Sequence, residues 1–162
     1  MKRRHLISIA AVAAALAVLA GCGGSDNTTT IGTVSGGSNA EDVKVIETWV
    51  DALRAGDVDK AAASFALPSV VQNGTRPIEL KTREEVVLFN ESLPCGAKLV
   101  SASTEGEVTT AAFELTERPG GHCGAGTGQT ASTAFVIEDG LIVHWSRVPG
   151  PDDGPAPEGT LS

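Results

Sequence analysis

Basic residues are scarce in this chain: 12 Lys and Arg stand against 20 Asp and Glu over 162 residues. Lys2, Arg3 and Arg4 crowd the extreme start, so beyond residue 21 nine basic residues face twenty acidic ones, a balance of −11. Nucleic acids are held largely by cations that displace counterions from phosphates, and a surface this acidic excludes that class of partner. It also offers no basic patch for anionic lipid headgroups. Only one long apolar run is present, Leu6 to Ala20, interrupted by Ser8. Fifteen residues reach about 22 Å as a helix, short of the ~30 Å hydrocarbon core. No internal repeat is visible. Cysteine is limited to Cys22, Cys95 and Cys123, without the repeated short spacing of zinc ligands, so no metal site is expected. The glycine-rich stretch Gly120 to Gly128 lacks the Gly-Lys-Ser/Thr ending of a phosphate loop. Gln129 stands where a dinucleotide fingerprint needs its last glycine, so no cofactor is expected either.

What is present begins with a charged start and an apolar run, the shape of a secretory signal peptide. Its end, Leu19-Ala20-Gly21-Cys22, resembles the lipobox of bacterial lipoproteins. In that motif the cysteine thiol takes a diacylglyceryl group, and cleavage leaves it as the first residue of the mature protein. The resemblance implies a signal peptide over residues 1–21 and lipidation of Cys22. It also implies a chain anchored to the extracytoplasmic face of the bacterial cell membrane, because two or three acyl chains hold stably where one does not. The alternative is an ordinary signal that leaves Cys22 free. Arg3-Arg4 leaves both general secretory and twin-arginine export open.

Residues 22–40 pair that cysteine with a Gly, Ser and Thr linker that has almost nothing to bury, a coil of about 25 Å average span. Residues 150–162 form an acidic, proline-rich tail expected to be disordered. The folded unit is then one domain over residues 41–149 with one modest core. Within it Cys95 and Cys123 are an even pair in an exported protein, which reads as a disulfide before it reads as a metal or redox site.

Ser38 and Glu41 fit a capping box, and Val43, Ile46, Val50 and Leu53 follow at helical spacing. Gly56 stops that helix. Asp57 caps a second, expected from Val58 to Leu67 with Pro68 closing it. Ser69–Gln72 and Pro77–Leu80 read as short strands around an Asn-Gly turn. Thr82 and Glu85 form another capping box, opening a third helix that Pro94 ends. Four strands follow: 97–104, 107–116, 129–138 and 141–148, with turns at Glu105-Gly106 and Asp139-Gly140. Helices followed by a strand meander predict an α+β domain, three helices packed on a strongly curved antiparallel sheet.

That order of elements, with Trp49-Val-Asp-Ala-Leu-Arg-Ala-Gly-Asp57, Phe65 and Asp139-Gly140-Leu-Ile-Val-His-Trp145, resembles the nuclear transport factor 2-like superfamily. That superfamily includes SnoaL-like polyketide cyclases, ketosteroid isomerase and limonene epoxide hydrolase. The resemblance implies a cone formed by a bent, cystatin-like sheet over a long helix, with an apolar pocket inside. It also places the family's functional positions. The tyrosine that serves isomerase-like members falls at Trp49, whose indole is a much poorer acid. Their general base falls at Asn73, an amide that cannot take and return a proton. Their strand acid falls at Ser132 or Thr133, neither of which ionises. The aspartate of epoxide-hydrolase-like members falls at Arg147, and a permanent cation cannot serve as base. Period-2 geometry puts Val143, Trp145 and Arg147 on one face of the last strand.

Three functions remain open. The first is a non-catalytic pocket lined by Trp49, Phe65, Asn73, Thr133, Trp145 and Arg147, holding a small apolar or weakly anionic ligand. The second is a SnoaL-like enzyme with a non-standard acid or base, His144 being the first suspect. The third is an interaction module that binds a partner protein or forms a homodimer through the open sheet face. No catalytic residue can be assigned from the family positions.

Overall fold

The computed structural model describes residues 38–149. The signal peptide expected over residues 1–21, Cys22, the expected linker up to residue 37 and the tail from residue 150 lie outside the described residues. Helix α1 spans Ala40–Ala55 and α2 Val58–Ala62, followed by strand β1 (Phe65–Gln72), β2 (Ile78–Leu80) and helix α3 (Arg83–Ser92). The meander β3 (Gly96–Glu105), β4 (Val108–Thr116), β5 (Thr130–Glu138) and β6 (Leu141–Val148) completes the domain. One six-stranded sheet runs β2-β1-β6-β5-β4-β3. The architecture is α+β, three helices on a bent sheet.

Helix α1 buries Val43, Ile46, Trp49, Val50, Ala52 and Leu53, an apolar stripe turned toward the sheet. Its cap is Asn39 rather than Ser38. Asn39 Oδ1 accepts from the Glu41 N–H at 3.0 Å. The Asn39 N–H, which a capping box would hand to an acidic side chain, goes instead to Thr104 Oγ1 at 3.0 Å. Thr109 is fully buried and donates to Asp42 Oδ2 at 2.8 Å, so the start of α1 is tied to β3 and β4 by side chains. At the far end Gly56 adopts φ +78, and its N–H bonds back to Leu53 O.

Helix α2 is shorter than its sequence pattern suggests and stops at Ala62, not Leu67. The last strand takes the remaining residues: Ile142 N–H bonds Ser64 O at 2.8 Å and Phe65 pairs with Ile142. Ladder bonds and burial of Phe65 therefore override helix continuation, and Pro68 sits within a strand instead of closing a helix. This pairing also corrects the expectation of a purely antiparallel sheet. β1 and β6 start at the same end and run parallel, while the other pairs are antiparallel. The α3 capping box forms as expected, with Glu85 N–H on Thr82 Oγ1 and Thr82 N–H on Glu85 Oε2.

Bulges bend the sheet. Val100 is the extra residue between Leu99 and Ser101, and Val143 the extra one between Ile142 and His144. The second corrects the period-2 reading of β6: Ile142 is buried in place of Val143, and Trp145 keeps the inward face. Asp139 (φ 50) and Gly140 (φ 75) make the two-residue β5–β6 turn, both left-handed as the strand twist requires. Cys95 and Cys123 form a disulfide that joins the chain just past α3 to the β4–β5 loop.

Candidate functional site

The inner face of the sheet and the two flanking helices enclose an aromatic cluster. The chain holds two Trp, four Phe and no Tyr, and all six rings lie in this one place. Trp49 is its hub, edge-on to Phe65 (6.4 Å between centroids), Phe113 (6.2 Å), Phe135 (5.6 Å) and Trp145 (6.3 Å). Phe89 of α3 closes it from the outside, 5.1 Å from Trp145 and 5.9 Å from Phe65. Edge-to-face pairs place positive ring edges on negative faces and contribute about 0.5–1.5 kcal/mol each beyond burial. The interior at this point is filled by its own side chains.

Of the six residues that sequence reasoning assigned to a pocket, Trp49, Phe65 and Trp145 meet in this cluster. Thr133 is buried on β5 directly across from Arg147 on β6, and β5 pairs Phe135 with Trp145, so all four share the inward face. Arg147 is exposed at the strand end. Asn73 lies one step beyond the last β1–β6 pair, Gln72 with Ser146, and is exposed in the β1–β2 connection. Two further residues belong to the site and were missed. Asn90 is fully buried, accepts from Trp49 Nε1 at 2.9 Å and donates Nδ2 to Val86 O at 2.8 Å. Its signal was available: it lies four residues after Val86, on the apolar face of α3. Phe89 carried a similar signal, three residues after Val86 at helical spacing.

Among the described residues, Arg118 is the one buried ionisable side chain. Its guanidinium donates to Leu93 O (2.7 Å) and Glu91 O (3.1 Å) at the end of α3, and also to Asn90 O (3.2 Å), which the Leu93 N–H reaches as well. Next to it Glu117 accepts from the backbone N–H groups of Cys123 and Gly124 and from Thr127 Oγ1. The Cys123 N–H first, then the Thr127 hydroxyl, hold the Glu117 carboxyl below its ordinary range. His144 pairs with Val70 and Val136 and alternates away from Trp145, so it points away from the cluster. No acid or base therefore stands inside the aromatic cluster.

Two buried polar atoms on β1 and β6 have no hydrogen-bond partner: Trp145 Nε1 in the cluster and Ser69 Oγ on β1. Val71 pairs with Trp145, and Ser69 is the next inward residue on β1, so both donors belong to adjoining parts of one face. Two surface depressions, of about 310 and 350 Å³, lie elsewhere, between α1, α2 and the β5–β6 turn and around Gly56 and Pro119. None of the six assigned residues lines either. Among the described residues no group of His, Cys, Asp and Glu suits a metal ion, and no helix is long and apolar enough to cross a membrane.

Solved structures share this order of helices and strands. A nuclear transport factor 2-like protein from Cytophaga hutchinsonii superposes with a TM-score of 0.53 at 13% identity, covering 68% of this chain and 91% of that one. A SnoaL-like protein from Burkholderia thailandensis gives 0.53 at 14%, covering 68% and 96%. The chain has the nuclear transport factor 2-like fold. A candidate polyketide cyclase from Sinorhizobium meliloti gives 0.51 at 16%, covering 65% and 94%. At such identities the likeness concerns the fold. No protein-family model and no curated protein matches the chain.

Proposed function

We propose that this nuclear transport factor 2-like domain is a non-catalytic binding module, tethered outside the cell membrane through a lipidated Cys22. Its ligand is a small apolar molecule bearing a hydrogen-bond acceptor, admitted to the cone only when side chains that fill it give way. The observation behind this is the unspent donor Trp145 Nε1 among packed aromatic rings, with a second unspent donor, Ser69 Oγ, buried on the inward side of β1. A buried N–H or O–H without an acceptor costs about 1–3 kcal/mol, and an acceptor on a ligand recovers that cost. The rings supply apolar surface, and no nearby acid or base supplies chemistry. Arg147 and Thr133, facing each other at one end of the same face, suit a weakly anionic group at the rim. The alternative of a SnoaL-like enzyme gains no acid or base from this geometry. The test is intrinsic tryptophan fluorescence of the mature chain titrated with short fatty acids and neutral ring compounds. Saturable quenching that disappears in Trp145→Phe supports binding, and an unchanged spectrum across the set refutes it.

A further inference from the structure

The cluster is closed on one side by α3 alone, and α3 is held in an unusual way. It packs mainly on α2, touches the edge strand β2, and meets the cluster through Phe89 against Phe65 and Trp145 and through the Asn90 bond to Trp49. Only Val86 and Asn90 on it are buried, and Leu88 is 63% exposed. Its N-terminal end is self-sufficient: Thr82 and Glu85 satisfy each other's backbone, and Arg83 reaches Ala62 O. Its C-terminal end is not. The carbonyls of Glu91 and Leu93 are satisfied by Arg118, which arrives from the β4–β5 loop and shares Asn90 O with the Leu93 N–H. The same loop is bonded through Cys123 to Cys95, three residues past the helix. Glu117 in turn folds that loop around itself. The half of α3 held from outside is the half that carries Phe89 and Asn90.

Phe89 is the only ring of the six that is not buried. It packs edge-on against Phe65 and against Trp145, whose Nε1 is a buried donor without a partner. We propose that α3 is a lid, that Phe89 is its plug, and that Arg118 with the Cys95–Cys123 bond is the latch that keeps it shut. The occupant is a flat, uncharged ring compound that takes over the edge-on contacts of the Phe89 ring with Trp145 and Phe65. This rests on the binding reading above and adds to it the route of access and the part that governs it. Arg118 acts here as a positioning residue, through the backbone of α3, and touches no ligand.

The experiment compares the mature chain with Arg118→Ala, the double variant Cys95→Ser/Cys123→Ser, and Phe89→Ala. Amide hydrogen exchange reads the lid, and fluorine NMR of 4-fluorotoluene reads the occupant. Exchange over residues 87–92 rises at least tenfold in both latch variants, while residues 46–53 of α1 hold their protection. Phe89→Ala binds 4-fluorotoluene at least tenfold more tightly than the parent. Uniform loosening of α1 and α3 together, or α3 exchange that does not move, overturns the lid even if Phe89→Ala binds the probe, and the binding reading then stands. Selective opening of α3 with no binding of 4-fluorotoluene by any variant overturns the proposed occupant, while the binding reading, whose ligand carries an acceptor, is decided by the fluorescence titration.

Discussion

The indole N–H of Trp49 on α1 donates to Asn90 Oδ1 on α3 at 2.9 Å, with both side chains buried. The resemblance to isomerase-like proteins places a tyrosine at Trp49, a donor aimed at a reacting oxygen. Here the donor is spent on the protein itself and joins the long helix to the lid. Asn90→Leu keeps the volume but strips the acceptor, leaving a buried N–H without a partner. Its expected cost is about 1–3 kcal/mol, read as a lower urea midpoint at unchanged slope. Adding Trp49→Phe removes the orphaned donor, so the double variant should be less destabilised than the two single losses added together. Strict additivity would show that the two side chains are not coupled.

Gly56 serves two purposes that a control can separate. Its φ of +78 suits only glycine well, and a Cβ there would sit 2.8 Å from Pro119 Cβ and 2.9 Å from Pro119 O. Gly140 has φ +75 but open space around the same position. Gly140→Ala should therefore cost only the left-handed backbone penalty, about 1 kcal/mol. Gly56→Ala adds a clash with the β4–β5 loop and should cost at least ~2 kcal/mol, since backbone must move. Equal thermal shifts for the two variants would count against the close approach of Gly56 to Pro119.

Glu117 makes the loop acid-sensitive. Its carboxyl is held below the ordinary value of 4.5, chiefly by the Cys123 N–H and then the Thr127 hydroxyl. A folded-state pKa below the unfolded one means that the charged form favours the folded loop. The contribution is present above pH 4.5 and is lost as pH falls through the lowered folded value. Protease cleavage within residues 117–128 should rise in that acid window. Glu117→Gln should show the higher cleavage already at neutral pH, with a flatter profile. A variant as pH-dependent as the parent would assign the acid response to another group.

Much of this architecture was legible because local rules and the global fold agree. The apolar stripe of α1, the Thr82–Glu85 box, the Asp139-Gly140 turn and the Cys95–Cys123 pair all rest on short-range chemistry that the final packing leaves intact. The failures have long-range causes. Phe65 looks like the end of a helix until Ile142, 77 residues later, offers a strand to pair with. That same pairing makes β1 parallel to β6, which no local signal encodes. At the site, Trp49, Phe65 and Trp145 lie together because aromatic side chains in a chain so poor in them gather where burial is greatest. Whether they line a space or fill it depends on how α3 sits, and that is set by Arg118. A lone arginine after a strand carries no mark of a helix cap, since its partners are backbone carbonyls some 25 to 28 residues earlier.

The anchoring proposal turns on one sulfur. Cys22 ends Leu19-Ala20-Gly21-Cys22, and the linker after it leads to the first cap at Asn39. Acylation through that sulfur would hold the domain at the membrane, each buried CH₂ contributing about 0.8 kcal/mol, with no help from a chain of balance −11. Cys22→Ser offers no thiol for the diacylglyceryl group. The variant should remain as unprocessed precursor or appear in a soluble form, while the parent partitions into the detergent phase and carries an added mass of two or three acyl chains. The domain itself should be unaffected, so tryptophan emission and the Cys95–Cys123 peptide should match between the two proteins. A parent protein that stays in the aqueous phase with an unmodified Cys22 thiol would end the proposal of a lipid tether and leave the binding domain to act as a freely diffusing one.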